Sequence, residues 1–240
     1  MGKLILKNKA LLLVENDKME SKAGYRESSP DGACVIRRAV GTDIDELMSI
    51  SRKSFSDRPV WNTSRIRARK MWEAILSWDC TETWVCISDN NLAGFITIVS
   101  DYSMFQEAWQ NQIEKYRNSK LSTCIFHPML MMNMLWGKFL IYIQKSKSNK
   151  KRINVSELCD EAFLWIANVA VDSRMRRKGI GKKLIAHTKN RASELGKKVA
   201  ILKVLARNIP ARKLYEDTGF DFISSDYEYA YYKISINIEK

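Results

Sequence analysis

The run Arg176-Arg177-Lys178-Gly179-Ile180-Gly181-Lys182 carries the strongest chemical signal in the chain. Glycines at 179 and 181 let a main chain approach a ligand closely. Arg176, Arg177, Lys178 and Lys182 supply positive charge. An apolar stretch, Phe163 to Val171, precedes the run, and an amphipathic one, Gly179 to Leu195, follows it. The loop therefore joins a strand to a helix N-terminus, where backbone N–H groups have no helical partner and the dipole is positive. That is a cradle for a phosphate or pyrophosphate. It is neither a dinucleotide fingerprint, which needs a third glycine, nor a P-loop, which ends in Gly-Lys-Ser/Thr. On its own, it also fits a turn beside a solvated basic patch.

A second segment, Asn208-Ile-Pro-Ala-Arg-Lys-Leu-Tyr-Glu-Asp-Thr-Gly-Phe220, reads as a short capped helix ended by Gly219. Tyr215 lies one turn after Ala211, so Leu214 can face a core while the phenol faces elsewhere. Packing beside Leu214 is the structural alternative for Tyr215, and helix capping is the alternative for Asn208.

Three motifs stand in order. Arg176, Gly179 and Gly181 fit R/Q-x-x-G-x-G/A. Asn168-Val-Ala-Val-Asp172 fits the strand that precedes that loop. Asn208 to Phe220 fits N-x-x-A-x-x-L-Y-x-x-x-G-F. Together they resemble the GNAT superfamily of acyl-CoA N-acyltransferases. The clear resemblance covers Phe163 to Ser224, and Val35 to Val99 fits more loosely. It implies an α/β (α+β) fold, with a central mixed, mostly antiparallel sheet flanked by helices. It implies acetyl-CoA as cosubstrate, held by Val169, Ala170 and Val171 along the pantetheine arm. Arg176, Arg177, Lys178, Gly179, Ile180, Gly181 and Lys182 would hold the pyrophosphate, with Asn208 and Arg212 as further contacts. Tyr215 matches the tyrosine that protonates the leaving thiolate.

The base has no matching position. Some relatives that acetylate ribosomal-protein N-termini place a glutamate on the fifth strand, and Lys203 stands there here. A lysine is a poor base unless its pKa is lowered. Glu161 is the candidate base, with Asp160 or a water chain as alternatives, and Asn168 could orient a water. Tyr227, Tyr229 and Tyr231 share one face of the last strand, either lining an acceptor site or packing in the core.

The elements that position these residues follow from periodicity. Val35 to Ala39 is a strand. Thr42 caps a helix over Asp43 to Phe55, with Asp45 as its capping-box acid. A second helix covers Ser64 to Trp78, with Ile66, Met71, Trp72, Ile75 and Leu76 inward. Thr83 to Ser88 and Ala93 to Val99 form a hairpin around Asp89-Asn90-Asn91. Val199 to Leu205, Phe220 to Ile223 and Tyr227 to Ile236 are the later strands.

Residues 1–32 read as a poorly ordered leader without a signal segment, and 33–240 as one domain. Within it, 101–162 is a helical insertion between the third and fourth strands, placed to shape acceptor specificity. Its apolar run Met129 to Lys145 is core, a dimer face or lid, or a membrane-surface element helped by the basic residues up to Arg152. Monomer and homodimer both stay open.

The five cysteines form no C-x-x-C pair, and with two histidines no metal site has workable spacing. They read as buried free thiols in a cytoplasmic protein. The formal charge of +13 disfavours cationic acceptors such as polyamines and suits anionic ones. The basic residues are scattered and no nucleic-acid motif appears. The first expectation is an acetyltransferase acting on a small amine, such as a nucleotide-linked amino sugar. Protein N-terminal or lysine acetylation is the second. A CoA-binding regulator without catalysis is the alternative of another class.

Overall fold

The computed structural model describes residues 34–56, 58, 61–125, 153, 155, 158, 159 and 162–237. The 1–32 leader, the Met129–Lys145 run, Asp160 and Glu161 lie outside them. Seven strands form one sheet in the order β1-β2-β3-β4-β5-β7-β6. These are β1 Val35–Arg38, β2 Thr81–Ser88, β3 Asn91–Val99, β4 Phe163–Val171, β5 Val199–Leu205, β6 Asp221–Ser225 and β7 Tyr229–Ser235. Every pairing is antiparallel except β4 with β5. The helices are α1 Ile44–Ser54, α2 Arg65–Ser77, α3 Tyr102–Ile125, α4 Ile180–Glu194 and α5 Ile209–Asp217. α3 opens the segment between the third and fourth strands. No described helix is long and apolar enough to cross a membrane.

Alternating side chains divide between the two faces of the sheet. Phe95 and Ala170 face α1 and α2, packing with Leu47, Met48, Met71, Trp72 and Ile75. Ile96, Ile166 and Leu202 face α4 and α5, packing with Leu184, Ile185, Tyr215 and Tyr232. A third cluster of Trp165, Ile201 and Tyr231 lies under Tyr102, Phe105, Ile153, Val155 and Leu158. The hairpin between β2 and β3 turns at Asp89 and Asn90, with φ of 51° and 58°. That left-handed pair suits a tight turn, and Asn and Asp tolerate it better than other residues with a Cβ.

Three expectations change. The α1 entry is anchored by Asp43 rather than by Thr42 and Asp45. Asp43 accepts the Val40 N–H at 2.8 Å and receives both guanidinium nitrogens of Arg37 at 2.7 Å. Asp45 instead pairs with Arg65 and Arg69 of α2. Ile66 is 71% exposed, because the inward stripe of α2 runs through Ala68, Met71, Trp72 and Ile75. Cys34 and Cys86 are joined in a disulfide rather than free. β1 lies beside β2, bringing their Cα atoms to 6.1 Å, within disulfide reach. Cys80 and Cys159 are free.

Candidate active site

The site begins where two parallel strands separate. β4 and β5 pair only from Phe163 opposite Val199 to Ile166 opposite Leu202, yet both run on, to Val171 and Leu205. A bulge on the other side, between Thr97 and Ile98 of β3, leaves Ala167 extra in β4 and bends the strand at that point. The outer half of β4 is therefore paired to β3 alone.

Its main-chain groups alternate in direction. The Asp172 N–H donates to Ala93 O at 2.9 Å, so it points towards β3. The Ala170 carbonyl points the same way, since a Cβ on Gly94 of β3 would stand 2.7 Å from it. The polar groups of Val169 and Val171 consequently face the opening. An extended amide-bearing chain laid there would find donors and acceptors at both positions, while those of Ala170 are turned inwards.

Past Val171 the chain makes the basic loop. Asp172 caps a 3-10 turn, Ser173–Met175, by accepting the Arg174 N–H at 2.9 Å, and its carboxylate also binds the Arg174 guanidinium at 3.0 Å. Arg177 and Gly179 then adopt left-handed backbone, with φ of 66° and 77°. Gly179 is the N-cap of α4, and the first helical bond runs from Lys183 N–H to Gly179 O at 3.0 Å. The N–H groups of Ile180, Gly181 and Lys182 precede that bond and form the positive end of the helix. Arg176, Arg177, Lys178 and Lys182 are exposed around it. Arg176 Nε reaches Val171 O at 3.4 Å, and Lys182 lies 3.8 Å from Asp217 of α5.

The two glycines answer different needs. Gly179 has no neighbour within 4 Å of a Cβ built on it, so only its conformation calls for glycine. Gly181 has ordinary helical backbone, but an added Cβ would stand 2.9 Å from Leu214 Cδ2. Its smallness lets α4 and α5 approach.

That approach places Tyr215, which is buried against Phe220 and Tyr232. Its hydroxyl makes no hydrogen bond among the described residues. Burial pushes its pKa up to about 12, against a downward pull from the charge of Arg58. The phenol therefore keeps its proton at neutral pH and has it free to donate.

Arg58 was not singled out by sequence, for it lies in the short connection between α1 and α2. Its Nη1 donates to Asn168 Oδ1 of β4 at a long 3.5 Å, and its guanidinium carbon stands 5.1 Å from the Phe55 ring centroid. The remaining candidates have tasks within the fold. Asn208 accepts the Ala211 N–H at 3.3 Å as the α5 cap. Arg212 Nε donates to Tyr232 Oη at 2.9 Å, and Tyr232 Oη donates to Glu216 at 2.7 Å. Lys203 stands 4.9 Å from the Tyr229 ring centroid. Tyr231 belongs to the core, its hydroxyl donating to buried Asp226 at 2.8 Å. Glu161, the candidate base, lies outside the described residues.

Residues 139–220 match the model of the acetyltransferase (GNAT) family. No curated protein matches the chain by sequence. Among solved structures, the fold is similar to Arabidopsis thaliana NAA60 bound to a bisubstrate analogue, at 15% identity over 86% of this chain and 100% of that one, TM-score 0.54. It is similar to the ribosomal-protein-S18-alanine N-acetyltransferase of Escherichia coli, at 13% identity over 87% and 97%, TM-score 0.51. An N-acetyltransferase from Staphylococcus aureus is similar at 14% identity over 86% and 100%, TM-score 0.53. The matched segment runs through β4, the basic loop, α4, β5 and α5, the parts that build the candidate site, and over these residues the chain is similar to the acetyltransferase (GNAT) family.

Proposed function

We propose that this protein is an N-acetyltransferase that moves an acetyl group from acetyl-CoA to a primary amine by direct attack. The observation that carries the reading is the arrangement around the splay. An anion cradle at one end of the open strand edge, and nearby a phenol with no hydrogen bond among the described residues, are what an acyl-CoA enzyme needs. The pyrophosphate would rest on the N–H groups that open α4 and on the charges of Arg176 to Lys182. The pantetheine amides would meet the main chain of Val169 and Val171. Loop and edge thus fit the cosubstrate without demanding a change in the chain.

The chemistry assigned to the residues is spare. A neutral amine attacks the thioester carbon, the carbon–sulfur bond breaks, and the attacking nitrogen sheds a proton. Tyr215 Oη gives its proton to the departing thiolate and recovers one from solvent, the usual work of a positioned acid. A main-chain N–H at the open edge polarises the thioester carbonyl, with Val169 and Val171 as the candidates. Glu161 keeps its place as candidate base, and Asn168 as a group that can orient a water.

The preferred acceptor is a small amine bearing negative charge, such as a nucleotide-linked amino sugar, in keeping with the basic balance of the chain. The test is release of free thiol from acetyl-CoA by the purified protein against a panel of amines, amino-sugar nucleotides and peptides. Thiol release that depends on one acceptor class supports the reading and names the substrate. Acetyl-CoA binding with no thiol release for any acceptor favours the regulator instead.

A further inference from the structure

We propose that Arg58 is the acceptor's anion site: a specificity-determining residue that pairs with a carboxylate or phosphate carried by the same molecule as the attacking amine. This rests on the acetyltransferase reading above.

Arg58 is set in place by its surroundings. Its N–H donates to Phe55 O at 2.9 Å, and its own carbonyl accepts from Trp61 and Asn62 at 3.0 and 3.2 Å. Phe55, beneath the guanidinium, packs on Trp61, and Trp61 packs on Trp72 in the core under α1 and α2, with ring centroids 6.4 and 5.1 Å apart. An arginine on an aromatic face above a core stack has little freedom to swing into solvent.

Among the described residues it has no counter-ion. Arg37 pairs with Asp43, Arg65 and Arg69 with Asp45, Arg174 with Asp172, and Arg191 with Glu82 and Glu194. Arg58 is half-buried, yet its only polar side-chain partner among the described residues is the neutral amide oxygen of Asn168. A partly desolvated guanidinium with most of its donors unspent is a poor structural element and a good receptor for a planar oxyanion.

Its position says whose oxyanion. Asn168 stands on the open half of β4, three residues before Val171, about 10 Å back along the strand from where the basic loop begins. The pyrophosphate cradle is therefore a separate site. Arg58 comes from the α1 and α2 side, Tyr215 from the α4 and α5 side, and the charge of one is felt by the phenol of the other. An anion on Arg58 lies beside the reacting carbonyl, where the acceptor enters. The same cation disfavours a protonated amine nearby, which eases deprotonation at a site with no described carboxylate base.

The experiment compares matched acceptor pairs by thiol release. One pair is an α-amino acid and its amide, and the other is an amino-sugar phosphate and the free amino sugar. Wild type, Arg58→Gln and Arg58→Lys are measured, with acetyl-CoA affinity by calorimetry on each as the check of folding. We expect wild-type kcat/KM to favour the anionic member of one pair by at least tenfold. That ratio falls towards one in Arg58→Gln and is partly restored in Arg58→Lys. The pair that responds tells carboxylate from phosphate. An unchanged ratio in Arg58→Gln, or an equal loss for both members of each pair, overturns the assignment and makes Arg58 a general stabiliser of the reaction. Wild type that binds acetyl-CoA but favours neither anionic member also overturns it, leaving the acetyltransferase reading in place. Failure to bind acetyl-CoA overturns both.

Discussion

Gly181 of α4 lies directly against Leu214 of α5, so closely that a Cβ at 181 would come within 2.9 Å of Leu214 Cδ2. The proposed cradle and the proposed acid are therefore one mechanical unit: the helix whose N-terminus would face the phosphates fixes the helix that carries Tyr215. Gly181→Ala should be mild, because the tip of Leu214 can shift. Gly181→Val has no such escape and must push α5 away, lowering kcat as well as acetyl-CoA affinity. Gly179→Ala meets no neighbour but strains a φ of 77°, at about 1–2 kcal/mol, and should weaken acetyl-CoA binding with a smaller effect on kcat. Steady-state kinetics and calorimetry on the three variants check the separation.

Tyr215→Phe removes one oxygen from a buried ring whose hydroxyl has no hydrogen-bond partner among the described residues, so stability should hardly change. Loss of the acid should lower kcat by about 10²-fold or more, with acetyl-CoA affinity kept within about threefold. A variant with wild-type kcat would return Tyr215 to the role of a packed aromatic.

The pH profile carries a matching sign. An acid with a pKa of about 12 stays protonated through the whole working range. The rate should rise with pH as the amine and any base lose protons, and show no descending limb from Tyr215 below about pH 11. A descending limb centred between pH 8 and 10 that Tyr215→Phe abolishes would contradict this.

Asp226 holds the turn between β6 and β7. Burial pushes its pKa up, but N–H donors from Tyr229 and Glu228 and the Tyr231 hydroxyl outweigh that and hold it below the usual aspartate range. A depressed folded pKa contributes stability above the unfolded value, near ~3.9, and loses it as pH falls through the folded value. Asp226→Asn should therefore lower Tm by roughly 2–8 °C at pH 7, with the gap to wild type narrowing below about pH 4. Tyr231→Phe should also lower Tm and leave the kinetic constants for acceptor alone. A raised acceptor KM in Tyr231→Phe would put that tyrosine back in the binding site.

Local signals carried the parts of the site that are contiguous in sequence. β4 and β5 fall on the residues that their apolar runs predict, and the loop between β4 and α4 declares itself through two glycines among four basic residues. Relationships between distant segments were not legible. Arg58 meets Asn168 across 110 positions from a loop with no periodicity. Cys34 bonds Cys86 only because β1 pairs with β2. Asp43 displaced Thr42 as the anchor of α1 through an arginine on the neighbouring strand, which no capping pattern encodes. On the last strand, alternation showed that Tyr229 and Tyr231 share a face, but not that this face is filled by Tyr102, Val155, Leu158 and Trp165.

The most direct test is calorimetric titration of acetyl-CoA into the wild type and into an Arg176→Ala/Gly179→Ala variant, with circular dichroism to establish that both fold. A cradle at the start of α4 predicts saturable one-to-one binding by the wild type and at least a tenfold weaker affinity in the variant. A folded wild type that does not bind acetyl-CoA, or a variant that binds it equally well, would contradict the account.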